Sequence, residues 1–216
     1  GFGMTETVAV ICAMTSDDHI RALNEKPELL KSCGRPLIDT LVEIRDENDK
    51  PLPIGEIGQI CAKGPQIMKG YWNKTEETAK ALSGGWMHTG DAGKMDEEGF
   101  VYIQDRIKDM IVSGGENIYS TEVEAVLFSH PDVVDAAVIG VPDDKYGEVV
   151  KACVVKKKDS ELGADDLIEF CKQKIASYKK PQSVDFIEEV PRNASGKVLK
   201  KVLREPYWKD RDRQVS

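Results

Sequence analysis

The sequence predicts an α+β fold in two parts, a mainly β segment over residues 1–107 followed by a small α+β module over residues 108–216. Two observations predict it. Up to about residue 106 the apolar residues fall in short β-prone stretches separated by turn-forming runs, whereas beyond it apolar strand-like runs alternate with stretches of helical periodicity. The composition, 40% hydrophobic and 31% charged over 216 residues, is that of ordinary domains able to bury one or two modest cores.

The elements follow in order. Residues 40–62 place Leu41, Val42, Ile44, Ile57 and Ile60 on either side of a polar connection containing Pro51 and Pro53, the pattern of a strand pair. Residues 73–82 are polar, rich in helix formers and closed by Gly84-Gly85, which predicts a short helix. Residues 93–95 and 100–104 predict strands joined by the turn Asp96-Glu97-Glu98-Gly99. Past Arg106, Thr121-Glu122-Val123-Glu124 reads as a capping box, opening a helix that carries Val123, Val126 and Leu127 until His130-Pro131 stops it. Strands at 133–141 and 149–155 flank a turn at 142–147. An amphipathic helix over 164–176 carries Leu167, Ile168, Cys171 and Ile175 on one face, and a strand at 183–188 and a short helix at 198–203 close the chain.

A net charge of −8 argues against a nucleic-acid partner, because no net cationic field is available to neutralise phosphates along a strand. Cys12, Cys33, Cys61, Cys153 and Cys171 lack the paired spacing of a zinc site or dithiol motif, so a reducing, cytoplasmic setting is expected. His19, His88 and His130 are scattered, and no metal cage built on histidine is expected. No apolar run approaches the ~20 residues needed to cross a bilayer, and no signal peptide is apparent. The chain opens abruptly on a functional-looking loop, so Gly1 reads as an internal position of a longer polypeptide.

Four segments carry chemistry: Gly-Phe-Gly-Met-Thr-Glu at 1–6, Gly-Trp-Met-His-Thr-Gly-Asp at 85–91, the run from Asp105 to Tyr119 that contains Ser-Gly-Gly-Glu, and Pro-Arg-Asn-Ala-Ser-Gly-Lys at 191–197. Singly each has a plain reading. Thr-Gly-Asp is an ordinary turn, Gly114-Gly115 a turn before a helix, Phe2 a core residue, and Lys197 one solvated lysine beside Lys200 and Lys201. Together, in this order and spacing, with Gly55-Glu56 and Lys69-Gly70-Tyr71-Trp72-Asn73 between them, they resemble the adenylate-forming superfamily of acyl-CoA synthetases, luciferases and peptide-synthetase adenylation domains. The resemblance spans essentially the whole chain. It implies that residues 1–107 are the C-terminal part of the large AMP-binding domain and residues 108–216 the small mobile C-terminal domain.

The chemistry so implied is the joining of a carboxylate to AMP with loss of pyrophosphate, followed by attack of a thiol on the acyl carbon. That reaction concentrates negative charge, so cationic groups and magnesium must face the α-phosphate. By the resemblance, Phe2 offers adenine an aromatic face, Gly3 lines the nucleotide, Thr5 donates to the α-phosphate, and Glu6 holds Mg²⁺. Asp91 accepts from the ribose hydroxyls and Arg106 adds a cationic contact, while Asp105 is structural. Lys197 bridges carboxylate and α-phosphate, Gly196 lets its loop approach closely, Lys108 is a hinge, and Gly114 and Gly115 line the channel for the coenzyme A thiol.

The expected cofactors are therefore ATP/AMP, Mg²⁺ and coenzyme A, and the acid is expected to be a fatty acid. An aryl acid, and a non-catalytic nucleotide-binding or interaction module, are the competing readings. The expected partners are a carboxylic acid, ATP, coenzyme A and the N-terminal portion of the same enzyme, with self-association into a homo-oligomer left open. The Ser/Thr/Gly-rich phosphate loop of the family has no counterpart here and would lie upstream of Gly1. The chain by itself is accordingly expected to be inactive.

Overall fold

In this computed structural model residues 1–8 and 10–209 are described, and the chain divides into two units, Gly1–Ile107 and Lys108–Ser216. The first contains β1 (Phe2–Gly3), β2 (Val10–Ala13), α1 (Ser16–Asn24), β3 (Arg35–Pro36), β4 (Leu41–Arg45), β5 (Gly58–Lys63), α2 (Thr75–Ala81), β6 (Met87–Met95) and β7 (Val101–Arg106). β1–β2–β3 form a small antiparallel sheet, and β4–β5–β6–β7 an antiparallel meander.

Alternation makes β4 a strand: Val42 and Ile44 are buried while Leu41 is exposed and Glu43 and Arg45 are partly exposed. Phe2, Ile11, Cys12, Val42, Ile44, Ile60, Ala62 and Val101 join the two sheets in one hydrophobic cluster. The β6–β7 turn forms as its residues predict, with the Asp96 carboxylate accepting from the Glu98 and Phe100 amides and Gly99 at φ 81°.

Departures from the sequence reading occur in this unit, beginning with the β1–β2–β3 sheet, for which no strand is expected before residue 40. Helix α1 was not anticipated, although Thr15 and Asp18 cap it reciprocally; the N3 residue is Asp rather than the usual Glu or Gln, and Ile20 and Leu23 face solvent. Strand β6 begins at Met87, six residues before the stretch expected, so that Thr-Gly-Asp lies inside a strand and not in a turn.

The second unit contains β8 (Ile111–Ser113), β9 (Glu116–Ile118), α3 (Ser120–Phe128), β10 (Val133–Asp143), β11 (Gly147–Lys156), α4 (Ala164–Lys172), β12 (Ser183–Phe186) and α5 (Lys200–Arg204). Its sheet runs β10–β11–β8–β9, with β12 parallel to β11. The long β10–β11 hairpin is apolar along its middle because both faces are covered. Val123, Leu127, Leu167 and Cys171 from α3 and α4 cluster with Val138, Val150 and Val154, whereas Ile187 and Leu203 pack against Ile139, Val141, Val149 and Cys153.

The capping box expected at Thr121 is not what starts α3. The helix begins at Ser120 with Tyr119 at its N-cap. The Glu124 carboxylate, expected to serve the cap, instead accepts from the Val138 amide at 2.8 Å and pairs with Lys200 at 2.7 Å. Helix α4 is also shorter than expected, ending at Lys172, with the Lys174 amide returning to the Cys171 carbonyl. α5 starts at Lys200 rather than 198 because Val198 is held in a bridge with Arg192. All five cysteines are free and buried. No helix among the described residues is long and apolar enough to cross a membrane.

Candidate functional site

The 1–6 motif runs from a short strand into a partly exposed turn. β1 ends at Gly3, and Thr5–Thr7 form one turn of 3₁₀-helix closed by the Thr7 hydroxyl, which donates to the Met4 carbonyl and accepts from the Met4 amide. Gly3 and Thr5 are exposed and border a depression of about 530 Å³ lined also by Gly1, Met4, Val8 and Val10. Glu6 is half-buried, and its carboxylate Oε1 accepts from the Tyr71 hydroxyl at 2.9 Å. Phe2, paired opposite Cys12, is 9% exposed as a residue and packs in the hydrophobic cluster, the core reading its residue type also allows.

Asp91 owes its position to a bulge. Between the pairs Cys61↔His88 and Gln59↔Ala92, β5 advances two residues (59 to 61) and β6 four (88 to 92). The two extra residues bow the strand outward. Gly90 takes φ 74° within the bulge, a left-handed conformation that glycine adopts without penalty. The Thr89 hydroxyl donates to the Ile60 carbonyl at 2.7 Å and accepts from the Asp91 amide at 3.2 Å, fixing both sides of the bulge. Asp91 lies opposite Arg106 across β6–β7, with Nε to Oδ1 at 3.4 Å. Because the Arg106 side chain is 54% exposed, the pair contributes little to stability, ~0–1 kcal/mol, and serves to hold a carboxylate and a guanidinium side by side. Asp105 is buried and accepts from the Arg106 amide at 2.7 Å.

In the second unit, Gly114 and Gly115 form the two-residue turn of the β8–β9 hairpin at φ 59° and 87°, the left-handed pair that such a turn requires. A Cβ at Gly114 would come within 3.2 Å of the Tyr146 ring, and the Gly114 amide donates to the Tyr146 carbonyl. Lys108 is exposed, and its carbonyl accepts from Arg204, whose guanidinium also pairs with buried Asp109 at 2.9 Å. Lys197 is exposed at the tip of a loop organised by Asn193. The Asn193 Oδ1 accepts from the Lys197 amide at 2.8 Å, the Ser195 amide at 3.1 Å and the Ser195 hydroxyl at 2.9 Å. Arg192 braces the loop by donating from Nη1 to the Gly196 carbonyl and from Nη2 to both Asp135 carboxylate oxygens at 2.9 and 3.0 Å.

Each motif is thus internally ordered: Thr5, Glu6, Asp91 and Arg106 in the first unit, Gly114, Gly115 and Lys197 in the second. Tyr71, Arg192, Asn193 and Tyr146 organise these positions without having a role in the sequence reading. Tyr71 lies within Lys69-Gly70-Tyr71-Trp72-Asn73, and Arg192 and Asn193 within the 191–197 segment, which is the available signal; Tyr146 lies in neither.

A further donor cluster, Asp49, Cys61 and His88, does not make a metal cage. Cys61 Sγ lies 3.6 Å from His88 Nδ1, Asp49 Oδ1 lies 3.5 Å from Nε2, and these ring nitrogens point in divergent directions. Nδ1 is within hydrogen-bond distance of Gln59, Arg45 occupies Asp49 at 3.0 Å, and burial pushes the Cys61 thiol up to about 12. A cleft of about 550 Å³ lined by Lys26, Lys94, Met95 and Tyr102 is bordered by Gly55 but by none of the residues of the four chemical segments.

Comparison with known proteins accords with these motifs. The chain belongs to the AMP-binding enzyme family: residues 1–72 match the AMP-binding enzyme model and residues 122–197 that of the AMP-binding enzyme C-terminal domain. It is 43% identical over 204 residues to 2-succinylbenzoate–CoA ligase of Bacillus cereus (strain AH820), covering 94% of this chain and 40% of that one. The chain thus spans about 40% of the length of the curated relatives it matches. Among solved structures, o-succinylbenzoate CoA synthetase (MenE) from Bacillus subtilis, in complex with the acyl-adenylate intermediate OSB-AMP, superposes with a TM-score of 0.82 at 39% identity, over 93% of this chain and 40% of that one. The amide bond synthetase McbA from Marinactinospora thermotolerans does so with a TM-score of 0.82 at 40% identity, over 95% and 41%.

Proposed function

We propose that the complete polypeptide is an AMP-forming acid–thiol ligase. The observation that carries this reading is the ordered Lys197 loop in one unit together with the Glu6 and Asp91 carboxylates, each held in place, in the other. In the first half-reaction a carboxylate oxygen attacks the α-phosphorus of ATP and the bond to pyrophosphate breaks. In the second, the coenzyme A thiol attacks the acyl carbon and the bond to AMP breaks.

Lys197 supplies an ammonium that offsets the repulsion between carboxylate and α-phosphate as they meet. Thr5 offers its hydroxyl to the α-phosphate, and exposed Gly3 lets the nucleotide lie against the backbone. Asp91, ionised and acceptor-only, suits the two ribose hydroxyls, with Arg106 beside it. Glu6 fits magnesium: one carboxylate oxygen is taken by Tyr71, leaving Oε2, a hard donor with no partner among the described residues. Bound there, the ion supplies positive charge against the phosphate oxygens. Residues 1–107 then act as the C-terminal part of the nucleotide-binding domain and 108–216 as the mobile domain. Lys108 is the hinge that exchanges Lys197 for the Gly114-Gly115 turn between the half-reactions.

For the acid, the 2-succinylbenzoate ligases among the relatives support an aryl carboxylic acid over the fatty acid expected from the sequence. Five buried free thiols are compatible with a cytoplasmic setting. Replacing Lys197 by alanine in the polypeptide extended to the length of its relatives tests the assignment. Acid-dependent pyrophosphate exchange is expected to slow on the order of 10²-fold or more, with thioester formation from supplied acyl-adenylate affected far less. Equal loss in both half-reactions would refute it.

A further inference from the structure

The Lys69–Asn73 motif has no role in the mechanism above, yet it is tied to Glu6 twice. The Met68 amide donates to the Glu6 carbonyl at 2.8 Å, and the Tyr71 hydroxyl, 65 residues along the chain, donates to Glu6 Oε1 at 2.9 Å. Tyr71 is itself anchored: its amide donates to the Thr78 hydroxyl at 2.9 Å, which in turn donates to the Lys74 carbonyl at 2.7 Å. Gly70 makes this approach feasible. At φ 152° a Cβ there would stand 2.7 Å from the Thr78 methyl, so a side chain would push Tyr71 off its anchor.

A glutamate in an open loop samples many rotamers, and ordering it at the moment of binding costs conformational entropy. A donor fixed on Oε1 removes that cost in advance and directs the lone pairs of Oε2 away from Tyr71. We infer that Tyr71 is a positioning residue, its hydroxyl orienting the Glu6 carboxylate to receive the divalent cation that accompanies the nucleotide phosphates. This rests on the reading of Glu6 given above.

The test is calorimetric titration of ATP, at increasing Mg²⁺, into the extended polypeptide and its variants. Tyr71→Phe is expected to raise the Mg²⁺ concentration at half-effect about tenfold, the loss of one hydrogen bond to a charged group, while ATP affinity without metal stays unchanged. In a Glu6→Gln background the same substitution should shift nothing further. A Mg²⁺ midpoint unmoved by Tyr71→Phe but raised by Glu6→Gln would overturn the positioning role and leave Glu6 as the ligand. A midpoint unmoved by Glu6→Gln would remove Glu6 as the ligand and this inference with it. If Tyr71→Phe does not fold, Thr78→Ala, which keeps the phenol but frees its backbone, should raise the midpoint in the same direction; no shift in that variant refutes the inference.

Discussion

Substituting Asn193 by alanine isolates the part of catalysis that depends on loop order and not on the charge of Lys197. The Asn193 carbonyl oxygen collects three donors, two of them backbone amides, including that of Lys197. Each such hydrogen bond contributes about 0.5–1.5 kcal/mol net, so loss of the two backbone bonds removes ~1–3 kcal/mol of loop order. If the ordered loop is the competent form, adenylation falls by roughly 5- to 150-fold. The lysine itself is intact, so the defect should appear in pyrophosphate exchange and spare thioester formation from supplied acyl-adenylate. Asn193→Asp, which retains an acceptor oxygen at the same place, should recover most of the rate. An unchanged exchange rate in Asn193→Ala, or a loss of the same size in Asn193→Asp, would show that the asparagine turn does not present Lys197.

Gly90→Ala meets no steric obstacle, since nothing lies within 4 Å of the new Cβ, and its penalty is confined to the backbone at φ 74°. A loss of about 1–2 kcal/mol in urea unfolding is expected, together with weaker AMP binding as Asp91 is displaced; wild-type behaviour in both would exclude a strained bulge. In the second unit burial opposes ionisation of Asp185, but the Lys151 ammonium at 2.6 Å and the Tyr207 hydroxyl outweigh it and hold the carboxyl below its usual range. A depressed folded-state pKa gives stability that is present above the unfolded value, about 4, and is lost as pH falls through the folded value. Thermal melts should therefore show Asp185→Asn with a shallower loss of stability than the parent below about pH 4; parallel acid limbs would remove Asp185 as a contributor.

The sequence was most legible where a local signal suffices. Alternation at Leu41–Arg45, the Asp96–Gly99 turn and the apolar run of the β10–β11 hairpin are each specified within a few residues, and each is where it was expected. The α+β class follows from them. The four motifs stood out by their joint order and spacing, which resemble a known family, whereas residue type alone left each of them with a plain reading.

What the tertiary structure decided concerns pairings whose partners are far apart in the chain. Tyr71 meets Glu6 only because the segment before α2 folds back on the first loop, and Asp91 meets Arg106 because β6 pairs with β7 across an irregularity that skips Gln104. The same long-range competition withdrew Phe2 into the core against Ile11 and Val101, and drew Glu124 away from the cap to Val138 and Lys200. A local preference is worth about 1 kcal/mol or less per residue, whereas burying an aromatic ring or satisfying a carboxylate beside a strand amide and an ammonium is worth more. Sequence patterns therefore specify elements and residue types, and the packed core determines which side chains are turned toward one another.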